Sequence, residues 1–148
     1  MGKRRAGREL ALKLLFQIDV GKLPLDEVLA QMLTSFKGHP DTWAFAEQLV
    51  RGVIEHQAEL DATIMHYASG WTLERMASVD RNLLRLALAE MLHRDDIPCS
   101  VSINEAVELS KLFSTAESGK FINGILGSFV REQGLVGDPR PGAEADLD

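Results

Sequence analysis

The sequence predicts an all-α protein, and three observations carry that prediction. Apolar residues recur with the 3.6-residue period of a helix along most of the chain. No stretch of four or more residues alternates apolar and polar side chains with the β-branched and aromatic enrichment of a strand. The 148 residues, 45% hydrophobic and 26% charged, are enough to bury one core without an external staple.

The elements follow in order. A first helix spans residues 3–20, with Leu10, Ala11, Leu14, Leu15 and Ile18 on one apolar stripe and Gly21 ending it. Pro24 starts a second helix to residue 36, and Gly38, His39 and Pro40 break the chain. Asp41 is the expected N-cap of a third helix carrying Trp43, Phe45, Ala46, Leu49, Val50 and Val53, which runs on or kinks toward Tyr67. Ser69 and Gly70 close that half, and a short helix leads from Trp71 and Thr72 to residue 77. Residues 80–94 are apolar nearly all the way round, so this helix should be central and buried. Capping boxes are expected at Ser102 with Glu105 and at Ser114 with Glu117, opening the last two helices. The reading gives subdomains at residues 1–69 and 70–132, and a disordered acidic tail at 133–148.

The net charge of −6 hides an uneven distribution. Lys3, Arg4, Arg5, Arg8 and Lys13 stand against Glu9 alone in the first thirteen residues, a local charge of +4 on an acidic protein. Cations at a helix N-terminus oppose the macrodipole, so folding alone does not call for them. Binding to phosphates depends on the local field rather than the total charge, and such a cluster suits nucleic acid. Projected on the helix, Arg5, Arg8, Leu12, Phe16 and Asp19 lie opposite the buried stripe, so Leu12 and Phe16 are expected as an exposed apolar pair beside the arginines.

Enzymatic chemistries each demand a residue set that is missing. His39, His56, His66 and His93 show neither an i,i+4 pair nor a neighbouring cysteine pair, so no metal site is implied. Gly119 and Lys120 lack the preceding glycine and the following Ser or Thr of a phosphate loop. Pro98 and Cys99 occur without a glycine-rich cofactor loop, leaving Cys99 as a lone loop cysteine. The single cysteine, the absence of a secretory pattern and apolar runs too short to span a membrane point to the cytoplasm. The start of the last helix is a second candidate site. There Ser118, Gly119 and Lys120 suit a phosphate, Glu117 can accept from a base amine, and Phe121 at the stripe's edge can stack on an unpaired base.

Five blocks in order make the chain similar to the NusB family of bacterial transcription antitermination factors. They are Arg4-Arg5-Ala6-Gly7-Arg8-Glu9-Leu10-Ala11, Asp80-Arg81-Asn82-Leu83-Leu84-Arg85-Leu86-Ala87, Arg94-Asp95-Asp96-Ile97-Pro98, Ile103-Asn104-Glu105-Ala106-Val107-Glu108-Leu109 and Lys120-Phe121-Ile122-Asn123-Gly124-Ile125-Leu126. The resemblance implies two small three-helix subdomains packed into one compact helical domain, and binding of the boxA element of ribosomal RNA leader transcripts together with NusE, the small-subunit ribosomal protein, inside an RNA polymerase antitermination complex. It implies no cofactor and no enzymatic activity. By motif position, Arg4, Arg5 and Arg8 would contact phosphate, Glu117, Lys120 and Phe121 would meet RNA, and Phe16 and Asp80 would meet NusE; the charge and helix pattern adds Lys3 to the arm, Ser118 to the RNA site and Leu12 to the NusE face. The sequence departs from the pattern where Phe16 replaces a residue that can be tyrosine, where Glu117 stands for a shorter Asp, and at Gly7, which predicts a more flexible arm. The resemblance leaves monomer and homodimer both open. Two rivals are a helical adaptor that binds protein but no RNA, and the related RNA-binding module of ribosomal RNA cytosine methyltransferases, against which the chain ends before a catalytic domain.

Overall fold

The computed structural model describes residues 2–134; apart from its first two residues, the acidic tail lies outside the described residues. Seven α-helices and no strand are present among them: α1 (Lys3–Asp19), α2 (Leu25–Ser35), α3 (Pro40–Glu55), α4 (Gln57–Tyr67), α5 (Ser78–His93), α6 (Cys99–Phe113) and α7 (Ala116–Glu132). A single 3-10 turn, Leu73–Arg75, stands where the short helix to residue 77 was expected. Gly70, with a φ of +76°, makes the turn between α4 and this segment, a conformation glycine adopts without strain.

The long third helix divides at His56, whose φ of −106° and ψ of 16° end α3 and begin α4. Asp41 does not cap α3. Pro40, lacking an N–H, takes the first helical position, and the His39 ring accepts from the Asp41 N–H at 3.0 Å. Neither expected capping box forms. Helix α6 starts directly after Pro98, so Ser102 and Glu105 lie inside it, and Cys99 is a buried helical residue rather than a loop cysteine. In α7 the cap is Thr115, whose hydroxyl accepts from the Ser118 N–H at 3.2 Å.

Helix α5 is the centre of the fold, packing against α1, α3 and α4 on one side and α6 and α7 on the other. Leu83, Leu84, Leu86, Leu88 and Met91 join one continuous apolar core with Leu14, Leu15, Val50, Ile64, Leu109, Ile122 and Leu126. The same helix buries Asp80, Asn82, Arg85 and Glu90, and each is paired. Arg85 donates to Asp61 at 2.7 Å and 3.1 Å, Asn82 donates to Asp19 at 2.9 Å, and Ser102 donates to Glu90 at 2.8 Å. These polar links fix how the neighbouring helices meet α5, because an unpaired buried charge is far costlier than a paired one.

Gly7 has a packing role rather than a loosening one. A Cβ there would come within 2.7 Å of the Phe45 ring and 3.2 Å of the Thr42 carbonyl, so glycine lets α1 lie close against α3. The arm is a regular, docked helix and not a flexible extension.

Candidate nucleic-acid interface

The cations at the start of α1 all have acidic partners. Lys3 lies 3.6 Å from Asp41, Arg4 donates to Asp96 at 3.0 Å, and Arg5 donates from Nε to Glu105 at 3.0 Å and again from its terminal nitrogen. Arg8 is only 3% exposed and makes a two-pronged contact with Glu90, at 2.8 Å and 3.0 Å, plus a longer one to Glu105. It is therefore a buried structural link between α1, α5 and α6, and not the surface phosphate contact expected of it. The hydrogen bonds from Arg5 hold the Glu105 carboxyl below its ordinary range, despite burial pushing the other way. Arg94, hydrogen-bonded through two nitrogens at 2.9 Å and 2.8 Å, lowers Asp96 to about 2. The Phe45 ring lies beneath the guanidinium groups of Arg4, Arg8 and Arg94, at 5.3, 5.4 and 5.2 Å from its centroid.

Lys3, Arg4 and Arg5 keep part of their surface toward solvent, with side chains 47%, 30% and 41% exposed. They form a cationic ridge that offers N–H donors to a phosphate in exchange for a carboxylate.

A second surface is an open groove of about 400 Å³ where the segment after Gly70 meets α7, lined by Trp71, Arg75, Met76, Asp80, Glu117 and Phe121. The Trp71 and Phe121 rings meet edge to face, with centroids 5.8 Å apart, and the Arg75 guanidinium lies 5.7 Å from the Trp71 ring centre. Trp71 is nearly half exposed and Phe121 is half-buried. Glu117 and Lys120 stand on the exposed face of α7, 3.9 Å apart. Two rings, a guanidinium and a flanking ammonium suit a flat, anionic polymer unit. Ser118 also lines the groove, but it is buried, and its hydroxyl donates to Asp80 at 3.0 Å.

The expected apolar face is half right in its geometry. Phe16 is 42% exposed, but Leu12 is buried at 3% and forms the floor beneath it. Asp80 is also buried, accepting from Ser114 at 3.1 Å as well as from Ser118, so it fixes the α6–α7 junction instead of offering a surface carboxylate. Around Phe16 an open apolar groove of about 390 Å³ is lined by Leu12, Lys13, Gln17, Met32, Val79 and Phe113.

Sequence reasoning missed Trp71 and Arg75. Trp71 reads in the sequence as a helix opener, and its exposure follows from the turn at Gly70 that the structure shows. Arg75 gives no sequence signal, because its place over that ring depends on the 3-10 turn. No helix among the described residues is long and apolar enough to cross a membrane.

Comparison with known proteins gives one consistent result. The family model described as the NusB family matches residues 5–131. The transcription antitermination protein NusB of Desulforamulus reducens is 53% identical over 130 residues, covering 88% of this chain and 90% of that protein. The NusB of Bacillus subtilis is 48% identical over 126 residues, covering 85% and 93%. Among solved structures, T. maritima NusB superposes with a TM-score of 0.79 at 38% identity, over 87% of this chain and 91% of that one. A crystal structure of antitermination factors NusB and NusE in complex with dsRNA superposes with a TM-score of 0.78 at 25% identity, over 88% and 97%. With the helical order, the arginine-bearing first helix and the matched length in agreement, this chain belongs to the NusB family.

Proposed function

We propose that this chain is a non-enzymatic, cytoplasmic transcription antitermination factor that binds boxA RNA of ribosomal RNA leader transcripts together with NusE, within an RNA polymerase antitermination complex. The observation that carries RNA binding is the open groove, where Trp71, with the Arg75 guanidinium over it, and Phe121 present ring surface. Single-stranded RNA is read largely by stacking unpaired bases on aromatic rings, with cations tracking the backbone. Lys3, Arg4 and Arg5 take the phosphate role and Arg8 holds their helix in place. The Phe16 groove is the docking face for NusE, because it is apolar, open and close to cations on the same helix. Residues 1–69 and 70–132 act in this reading as two subdomains joined through α5.

The solved complex of a relative with NusE and RNA supports both partners. The experiment is a titration of single-stranded boxA RNA onto the purified chain, alone and with NusE, at several salt concentrations. Neutralising three phosphates predicts a slope of log K against log salt of about −2, and replacing Arg4 and Arg5 with Ala should reduce it to about −0.7. Affinity should rise when NusE is present, and by reciprocity RNA should tighten NusE binding equally. Unchanged affinity and slope in the double variant would remove the arm from the RNA site, and NusE binding without any RNA binding would favour the protein adaptor.

A further inference from the structure

Two histidines separated by 37 positions in the sequence are neighbours in the fold. His56 sits at the break between α3 and α4, and His93 is the last residue of α5. Their rings stack with centroids 3.8 Å apart and 13° between planes. Glu59, in the first turn of α4, completes a triad, its Oε1 lying 3.0 Å from His93 Nε2. One ligand atom from each of the three falls within 4.8 Å of the others. Spacing along the chain could not show this pair, since neither an i,i+4 relation nor a motif links the two positions.

We propose that His56, Glu59 and His93 form a binding site for a divalent transition-metal ion of the zinc class. Two imidazole nitrogens and one carboxylate oxygen match that class, whereas magnesium and calcium favour all-oxygen sets. Bonds of 2.0–2.2 Å to a tetrahedral ion place ligand atoms about 3.3 Å apart, so the triad must contract by up to about 1.5 Å. Rotation of the Glu59 and His93 side chains, 55% and 33% exposed, supplies that movement without displacing a helix. Where His93 Nε2–H donates to Glu59, the ion takes the place of that proton: a neutral ring carries its proton on Nδ1 instead, a doubly protonated ring releases one proton to solvent, and in either case Nε2 binds as neutral imidazole and Glu59 ligates as carboxylate. The fourth position stays open to water. Because the ligands come from the α3–α4 junction, the first turn of α4 and the end of α5, the ion would tie these elements together and stabilise only the folded chain.

The test is calorimetric titration of tag-free, full-length protein with zinc chloride, alongside thermal melts in chelator and in zinc. The wild type should bind one equivalent saturably and melt roughly 5–10 °C higher at a hundredfold excess over Kd. His56→Ala and His93→Ala should each weaken binding at least tenfold, while His39→Ala and His66→Ala, at histidines outside the triad, should leave it unchanged. Magnesium should give no saturable heat. No one-equivalent binding up to millimolar zinc, or binding lost in His66→Ala and kept in His93→Ala, would overturn the site. Should His56→Ala fail to fold, ring resonances in the wild type decide the matter. Zinc must shift those of both His56 and His93, and unmoved resonances contradict the proposal.

Discussion

At the start of α1, four cations face four carboxylates: Lys3 with Asp41, Arg4 with Asp96, Arg5 with Glu105 and Arg8 with Glu90. In the groove beside α7, Arg75 lies over a half-exposed indole, Phe121 meets the same ring at its edge, and Lys120 has only a 3.9 Å contact with exposed Glu117. Both regions carry cations, but they start from different states. A phosphate arriving at the arm must displace an anion already in place, so much of the gain is an exchange of one charge-assisted hydrogen bond for another. A base arriving in the groove covers ring surface that water covers now, and no carboxylate has to be displaced from a cation. Clustered positive charge in a sequence thus reports the capacity to meet phosphate, while the net energy depends on what the charges already touch.

The largest effect should separate Arg8 from the rest of its cluster. Arg8→Ala leaves Glu90 buried without its main partner and should lower stability by about 3–5 kcal/mol, read from denaturant midpoints. Arg4→Ala, at a partly exposed pair, should cost no more than about 1 kcal/mol. Equal, small losses for the two would mean that Arg8 is not the buried link described here. A smaller effect tests the other face of α1: Phe16→Ala should weaken NusE binding by about 1–2 kcal/mol and leave RNA binding by the isolated chain unchanged. If it instead removes RNA binding and spares NusE, the two partners have been assigned to the wrong surfaces.

The smallest effect is one of pH. Asp96, held at about 2, and Glu105, held below its ordinary value, bind fewer protons in the folded chain than in the unfolded one. The stability they contribute is full above about pH 5 and declines as pH falls toward 2. Unfolding midpoints measured at pH 7, 5 and 3 should show that decline, and Asp96→Asn should flatten part of it. A pH profile identical in the variant would take Asp96 out of the account.

Much of the fold was legible because it rests on apolar periodicity. The stripe of α1, the nearly all-apolar α5 and the i, i+4 pattern of α7 each mark a buried face. The errors concern polar residues whose partners are distant in sequence. Ser102 and Glu105 look like a capping box, yet they serve Glu90 and the arginines of α1, twelve and about a hundred positions away. Asp80 reads as a surface acid until α7 brings Ser118 against it. Leu12 illustrates the limit of a helical projection: its position opposite the main stripe says nothing of the neighbouring elements, Val79 and Phe113 among them, that line the groove with it and leave it 3% exposed. Of the residues in and beside the open groove, Phe121 and Lys120 were readable from their place at the start of the last helix, whereas Trp71 and Arg75 needed the turn at Gly70.

The central claim is that the open groove, and not the arm alone, holds RNA bases. Titration of single-stranded boxA RNA onto the wild type, Phe121→Leu and Trp71→Ala at several salt concentrations tests it most directly. Phe121→Leu keeps most of the apolar volume, and Trp71 is exposed enough to be removed without opening the core. Each variant should lose about 1–3 kcal/mol of RNA affinity, with a salt slope equal to that of the wild type. Full affinity in both variants, with melting temperatures unchanged, would contradict the claim and leave the paired arginines of α1 as the whole RNA site.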